Sequence, residues 1–176
     1  MKHLLALLFI SIPIFAELEA KSKNSNWWKE AVIYQIYTRS YADSNGDGIG
    51  DLNGITAKLD YLADLGIDAI WLTPFYESPN VDFGYDIANY MTVGKEYGTL
   101  SDYDRLISEA ASRNIQIIND LVLNHTSDRH PWFVDSRSSR SSSKRDWYIW
   151  HDPVDDSAPN NWQSIFGGSA WEMDAL

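Results

Sequence analysis

The chain has 176 residues, of which 44% are hydrophobic and 14% aromatic, and carries a formal net charge of −11. This composition can fill a sizeable core and excludes an intrinsically disordered protein. The acidic balance weighs against a nucleic-acid backbone or an anionic membrane as a partner, because both would repel it at long range. A neutral or cationic small molecule is the expected partner. There are no cysteines, so the fold gains nothing from disulfides and relies on its core.

Lys2 and His3 precede an apolar run from Leu4 to Phe15, after which come the small residues Ala16 and Ala20. The run is too short for a bilayer, which takes about 20 residues. It fits a secretory signal peptide over residues 1–20, and a secreted or extracellular protein is expected. No later run is long enough for a membrane span.

Ala31 to Tyr41 (AVIYQIYTRSY) is rich in β-branched and aromatic residues and reads as a strand, followed by a Gly/Asp/Asn loop from Asp43 to Asp51. From Gly54, the residues Ile55, Leu59, Leu62 and Leu65 recur at helical spacing, and Gly66 stops the helix. Ile67 to Thr73 (IDAIWLT) is a second strand closed by Pro74. After a long loop, Ser101 is a candidate N-cap with Asp104 in capping-box position, and Leu106, Ile107, Ala110 and Ala111 form the apolar face of the next helix, which Asn114 ends. Ile115 to Leu123 (IQIINDLVL) is a third, almost continuously apolar strand. Strands alternating with crossover helices predict an α/β fold with a parallel sheet. From His125 to Leu176 the pattern becomes loop-like, with a Ser/Arg run at 136–145. Five tryptophans there (Trp132, Trp147, Trp150, Trp162 and Trp171) call for burial and argue against disorder. A small irregular subdomain inserted after the third strand is expected.

Three motifs can carry chemistry. In Asp43-Ser-Asn45-Gly-Asp47-Gly48-Ile49-Gly-Asp51, oxygen donors at alternate positions suit a hard cation such as calcium or magnesium. It is not an EF-hand, since Gly54 stands where a bidentate Glu belongs. From spacing alone, a cation loop and an acidic, solvated turn account for it about equally. The second motif, Asp82-Phe83-Gly84-Tyr85-Asp86, follows strand two. The third, Asp120-Leu-Val-Leu-Asn124-His125, ends strand three. If the sheet is a barrel, both lie at the strand ends where barrels place their active sites, and a carboxylate, a tyrosine and a histidine there can bond sugar hydroxyls and stack on a pyranose. Taken alone, His125 is better explained as a hydrogen-bonded structural histidine. His125 and His130 lack the spacing of a zinc pair. The sequon Asn124-His125-Thr126 is expected to be unmodified, because a glycan there would block a site. No G-x-S-x-G elbow, phosphate loop or cysteine nucleophile is present.

With these residues quoted, the chain from Trp27 onward resembles glycoside hydrolase family 13, the α-amylase superfamily, and within it the secreted insect maltases and the related oligo-1,6-glucosidases. The segments that carry the likeness are WWKEAVIYQIYTRSYADSNGDGIGDLNGI, IDAIWLTPFYESPNVDFGYDIANY, DLVLNHTSD and NNWQSIFGGSAW. The resemblance implies a (β/α)₈ TIM barrel, with residues 21–124 as its first part (strands 1 to 3) and 125–176 as the start of an inserted domain B. It implies that Asp82, Tyr85 and His125 bind the glucose, that Asp120 is a structural active-site residue, and that Asp43, Asn45, Asp47, Asp51 and the Ile49 carbonyl hold a structural calcium.

The activity implied is that of an α-glucosidase, or maltase, which releases terminal α-1,4-linked glucose from a maltose-like oligosaccharide with retention. Retention needs two carboxyl groups about 5–5.5 Å apart. The family's catalytic carboxylates have no counterpart among these residues, so the chain is expected to be an inactive N-terminal fragment. A non-catalytic cell-surface binding or receptor protein of the same fold is the alternative.

Overall fold

The computed structural model describes residues 26–175; the predicted signal peptide lies outside them. The chain divides into two units, one ending at Ala31 and one running from Val32. Within the first, Trp27–Lys29 form a single 3-10 turn, with the Glu30 N–H donating to the Trp27 carbonyl.

The second unit is built on a parallel sheet of β1 (Ile33–Ile36), β2 (Ala69–Leu72) and β5 (Gln116–Asn119), with β2 in the centre. The register pairs Ile36 with Leu72, and Leu72 in turn with Asn119. By this register Tyr34, Ile36, Ile70, Leu72 and Ile117 share one face. That face meets the helices α2 (Leu52–Ala57), α3 (Leu59–Asp64) and α4 (Leu100–Ser112), which contribute Ile55, Leu59, Leu62, Leu106 and Ala110 to one core. The other face leaves Ile33, Gln35 and Trp71 exposed. Among the described residues no helix is long and apolar enough to cross a membrane.

The boundaries differ from the sequence expectation for identifiable reasons. The first strand stops at Ile36, and Thr38–Tyr41 form a helical turn, α1, because the carbonyls beyond it are taken by the returning loop: Gly50 N–H donates to Arg39 O and Asp51 N–H to Ala42 O. The helix predicted from Gly54 begins at Leu52, capped by the Asp51 carboxylate, and is broken at Lys58 into α2 and α3; Leu65 is exposed rather than in its apolar face. The cap of α4 is Thr99, not Ser101. Thr99 and Asp102 exchange reciprocal side-chain to backbone bonds as a capping box. Of the predicted apolar face, Leu106 and Ala110 are buried, while Ile107 and Ala111, one position further round the helix, are exposed. The long loop hides a hairpin, β3 (Tyr76–Glu77) and β4 (Asn89–Val93). It gives no alternation signal because β3 is two residues long and its register shifts. The third strand ends at Asn119, and residues 120–123 are loop.

The loop-like stretch contains a helix, α5 (Pro131–Ser138), capped by the His130 ring, with Pro131 at its first position. The tryptophans are only partly buried, and Trp132 and Trp147 remain about half exposed. Their order comes from ring contacts. Tyr103, Phe75, Tyr76, Tyr90, His130, Trp132 and Trp147 touch in sequence at centroid separations of 5.0, 4.9, 6.0, 5.7, 4.6 and 5.1 Å. This chain of rings joins the sheet-and-helix core to α5 through the hairpin. At the far side of α5, the buried Ser136 hydroxyl accepts from Trp150 Nε1 at 2.9 Å and donates to the Arg145 carbonyl at 3.2 Å.

Two predictions follow from local geometry. A Cβ on Gly54 would lie 1.9 Å from the Ala42 carbonyl oxygen, whereas Gly48, at φ +87°, has open space. Gly54→Ala should therefore cost about 3 kcal/mol through overpacking, and Gly48→Ala about 1–2 kcal/mol through its left-handed backbone. Denaturant unfolding of both variants checks this, and equal costs would contradict the close approach at Gly54.

His130 is the second case. Its Nδ1 accepts from the Trp132 N–H at 3.1 Å, which requires an unprotonated Nδ1, and burial lowers its pKa from the ordinary 6.5. The unfolded chain then takes up the proton first. The contribution of His130 is full above about pH 6.5 and is lost as pH falls from there through the lower folded value. His130→Asn keeps an acceptor that does not titrate, so its melting temperature should vary less between about pH 7.5 and 5.5 than that of the wild type. Parallel curves would exclude His130 as the titrating group.

Candidate active site

Because β1, β2 and β5 are parallel, the segments after them emerge at one end of the sheet. Pro74 follows β2 and opens the loop that carries Asp82 and Tyr85; Asp120 stands one residue beyond β5, its N–H donating to the Leu72 carbonyl at 3.1 Å. The Tyr85 hydroxyl donates to Asp120 Oδ2 at 3.1 Å. His125 Nε2 lies 3.1 Å from the Tyr85 carbonyl oxygen, so Nε2 carries the proton and donates. Tyr85, Asp120 and His125, distant in sequence, are thus brought into one network. Asp82 joins it at the other end of a tight turn in which the Tyr85 N–H donates to the Asp82 carbonyl at 2.8 Å. The Tyr85 phenol is pushed above its usual 10.0, first by burial, then by the bond to Asp120 and by the charges of Asp120 and Asp82. It therefore stays a neutral donor across the physiological range.

Two residues to which the sequence reading gave no role hold this network. Asp86 accepts from Ser78 Oγ at 2.7 Å, Val81 N–H at 2.9 Å and Asp82 N–H at 3.1 Å. Burial alone would raise its carboxyl, but these bonds outweigh burial and leave its pKa below the ordinary 3.8. Asp86 sits inside the quoted motif, yet nothing in the motif shows that its partners precede it by four to eight residues. Tyr90, on β4, places its hydroxyl 2.9 Å from the Val122 carbonyl and 3.0 Å from the His125 carbonyl, tying the segment after β5 to the hairpin. It was missed together with the hairpin.

The acidic loop after α1 is a separate feature. Asp43 accepts from the N–H groups of Asn45, Gly46 and Gly48 at 3.0, 2.7 and 2.8 Å. The bonds from Gly48 and Gly46 lead in lowering its pKa below 3.8. Asn45 Oδ1 accepts from Asp47 N–H at 2.9 Å, and Asp47 Oδ1 from Ile49 N–H at 2.8 Å. Asp51 is buried and caps α2 through Gly54 N–H at 2.7 Å while also accepting from Ser44. These oxygens keep further lone pairs, so the donor set fits a hard cation in its chemistry. Among the described residues no three His, Cys, Asp or Glu side chains gather as a metal cluster; the expected set also draws on the Asn45 amide and the Ile49 carbonyl.

A cavity of about 700 Å³ lies elsewhere, in the C-terminal segment, between Phe133, Arg145, Trp150, His151, Trp171 and Met173. None of the predicted site residues lines it. The network at the strand ends, which has the convergent polar groups, is the better candidate site.

Comparison with known proteins places this geometry in a family. Residues 35–176 match the family described as the alpha amylase catalytic domain. A probable alpha-glucosidase of Rhizobium meliloti is 62% identical over 85% of this chain and 27% of its own length. An oligo-1,6-glucosidase of Bacillus cereus is 57% identical over 85% of the chain and 27% of its own. Among solved structures, the isomaltulose synthase SmuA from Protaminobacter rubrum superposes with a TM-score of 0.83 at 59% identity, covering 84% of this chain and 26% of its own. An isomaltulose synthase mutant from Erwinia rhapontici, in complex with its natural substrate sucrose, is 61% identical, with a TM-score of 0.83 over 84% of this chain and 26% of its own. The chain thus spans about a quarter of the length of the relatives it matches. Its sheet is the first three strands of a (β/α)₈ barrel, and the chain belongs to the α-amylase family, glycoside hydrolase family 13.

Proposed function

We propose that the protein carrying this segment is a retaining α-glucosidase acting on short, maltose-like oligosaccharides, and that the segment supplies part of its glucose-holding wall. The observation that carries the reading is the network of Tyr85, Asp120 and His125 at the C-terminal ends of the parallel strands, with Asp82 one turn away. In it, the Asp82 carboxylate and the Nδ1 of His125, whose Nε2–H is spent on the Tyr85 carbonyl, present acceptors to sugar hydroxyls. Tyr85 is oriented by Asp120 to present its ring to the pyranose face. The rest of the barrel supplies the nucleophile and the acid/base carboxyl group, so residues 1–176 alone should not hydrolyse glucosides. The names of the relatives favour α-glucosidase or oligo-1,6-glucosidase activity.

The test is steady-state kinetics of the full-length protein on maltose, isomaltose and sucrose. Activity on at least one is expected. Asp82→Ala should lower kcat/KM by roughly 10- to 150-fold, as the loss of a charged hydrogen bond does, and Tyr85→Phe by roughly 2- to 10-fold. A full-length protein that binds these sugars but cleaves none would favour the non-catalytic cell-surface alternative.

The acidic loop is proposed to hold calcium through Asp43, Asn45, Asp47, Asp51 and the Ile49 carbonyl, with a structural role. The bound ion should stabilise the protein by about 2.7 kcal/mol at 100 times its Kd. This is measured as a melting-temperature difference between calcium and EDTA, and Asp47→Ala should abolish it. No difference in the wild type would rule the site out.

A further inference from the structure

The turn that presents Asp82 and Tyr85 has an unusual backbone. Its two central residues, Phe83 and Gly84, have φ of +51° and +97°. Gly84 adopts this freely, but a bulky aromatic does so only where its surroundings impose it. Asn80, three residues earlier, is also left-handed at φ +57°. The floor of the turn is tight, since a Cβ on Gly84 would stand 2.9 Å from the Pro74 carbonyl oxygen.

We propose that Asp86 is a positioning residue of the glucose-binding wall, a clamp that holds residues 78–85 in the conformation that aims Asp82 and Tyr85 at substrate. This rests on the functional reading above. The carboxylate follows the turn directly and gathers three donors from the strand of loop that enters it, Ser78 Oγ, Val81 N–H and Asp82 N–H. Asp82 is thereby held on both sides: its N–H by Asp86, and its carbonyl by Tyr85 N–H at 2.8 Å. Ser78 is drawn in twice, because its hydroxyl also accepts from Asn80 N–H at 2.9 Å. The Asn80 amide is anchored in turn on Glu96 Oε1. Asp86 binds through loop donors on both oxygens, so it acts through Asp82 and Tyr85 and not on the sugar.

Three variants of the full-length protein test this. Asp86→Ala should lower kcat/KM for maltose or isomaltose by roughly 100-fold, the cost of misplacing a binding group by about 1 Å, mainly as a raised KM. Asp86→Asn keeps an acceptor for Ser78 and Asp82 but not for Val81, and should recover a large part of the loss. Ser78→Ala should raise KM roughly 2- to 5-fold. Amide exchange reads the clamp without reference to activity: Val81 and Asp82 should exchange at least about tenfold faster in Asp86→Ala, as the loss of their acceptor requires. An active wild type with an Asp86→Ala variant within twofold of it overturns the clamp. Unchanged exchange at Val81 and Asp82 does the same. If Asp86→Ala does not fold, an unchanged KM in Ser78→Ala overturns it. A wild type inactive on every α-glucoside overturns the functional reading instead, and the exchange measurement still decides on the clamp.

Discussion

Everything at the candidate site depends on β2 being hydrogen-bonded on both edges to parallel partners. Parallel pairing sends the three chain segments out at the same end, so residues 85, 120 and 125 can meet although up to 40 positions separate them. An antiparallel neighbour would have delivered Asp120 to the opposite end. The helices α2, α3 and α4 pack their apolar sides on one face of the pairing, and its largest buried side chains are Ile36, Ile70 and Leu72. Burying such side chains contributes roughly 1.5–3 kcal/mol each, whereas the site's hydrogen bonds net about 1 kcal/mol apiece. The core therefore sets the position of the site, and the polar network sets only its local geometry.

That local geometry is built largely from short-range bonds between side chains and backbone. Asp43 with the amides two to five residues on, Asp51 with Gly54, Thr99 with Asp102, and Asp86 with Val81 and Asp82 all follow one rule: a carboxylate or hydroxyl gathers N–H groups that no strand or helix can use. Loops that leave the sheet have many such orphan donors. The acidic composition is then partly a loop-building device, and part of the −11 net charge is engaged in holding backbone turns.

The strands and helices were legible where hydrophobic period and chain length agreed. Ile55, Leu59, Leu62, Leu106 and Ala110 were read as core-facing and are buried. What the sequence concealed was decided by partners far along the chain. Strand one reads as β-prone to Tyr41, but Gly50 and Asp51 claim its later carbonyls. Ser101 is as good a cap by composition as Thr99, and only the reciprocal bond with Asp102 separates them. At the site, Asp82, Tyr85, Asp120 and His125 stood out by residue type at strand ends. Asp86 and Tyr90 did not, because their importance lies in bonds across a loop and across a hairpin that carries no alternation. The tryptophans of the last segment suggested burial, but they stay partly exposed and meet other rings instead, Trp132 and Trp147 edge to face and Trp150, Trp162 and Trp171 in stacked pairs.

The exposed face of the sheet has its own explanation once the family is known. Ile33, Gln35 and Trp71 lie on the face away from the helices, at alternate positions in register. In a (β/α)₈ barrel that face points inward and is filled by layers of side chains from neighbouring strands. The same closure pairs the free edges of β1 and β5, which an open sheet leaves as templates for association. A side chain that looks misplaced on an open sheet, such as Trp71 at 36% exposure, occupies a position that belongs to the inward-facing layers of such a barrel. The candidate site follows the same logic. Tyr85 and Asp120 stand at strand ends on the face where barrels of this kind gather their site residues.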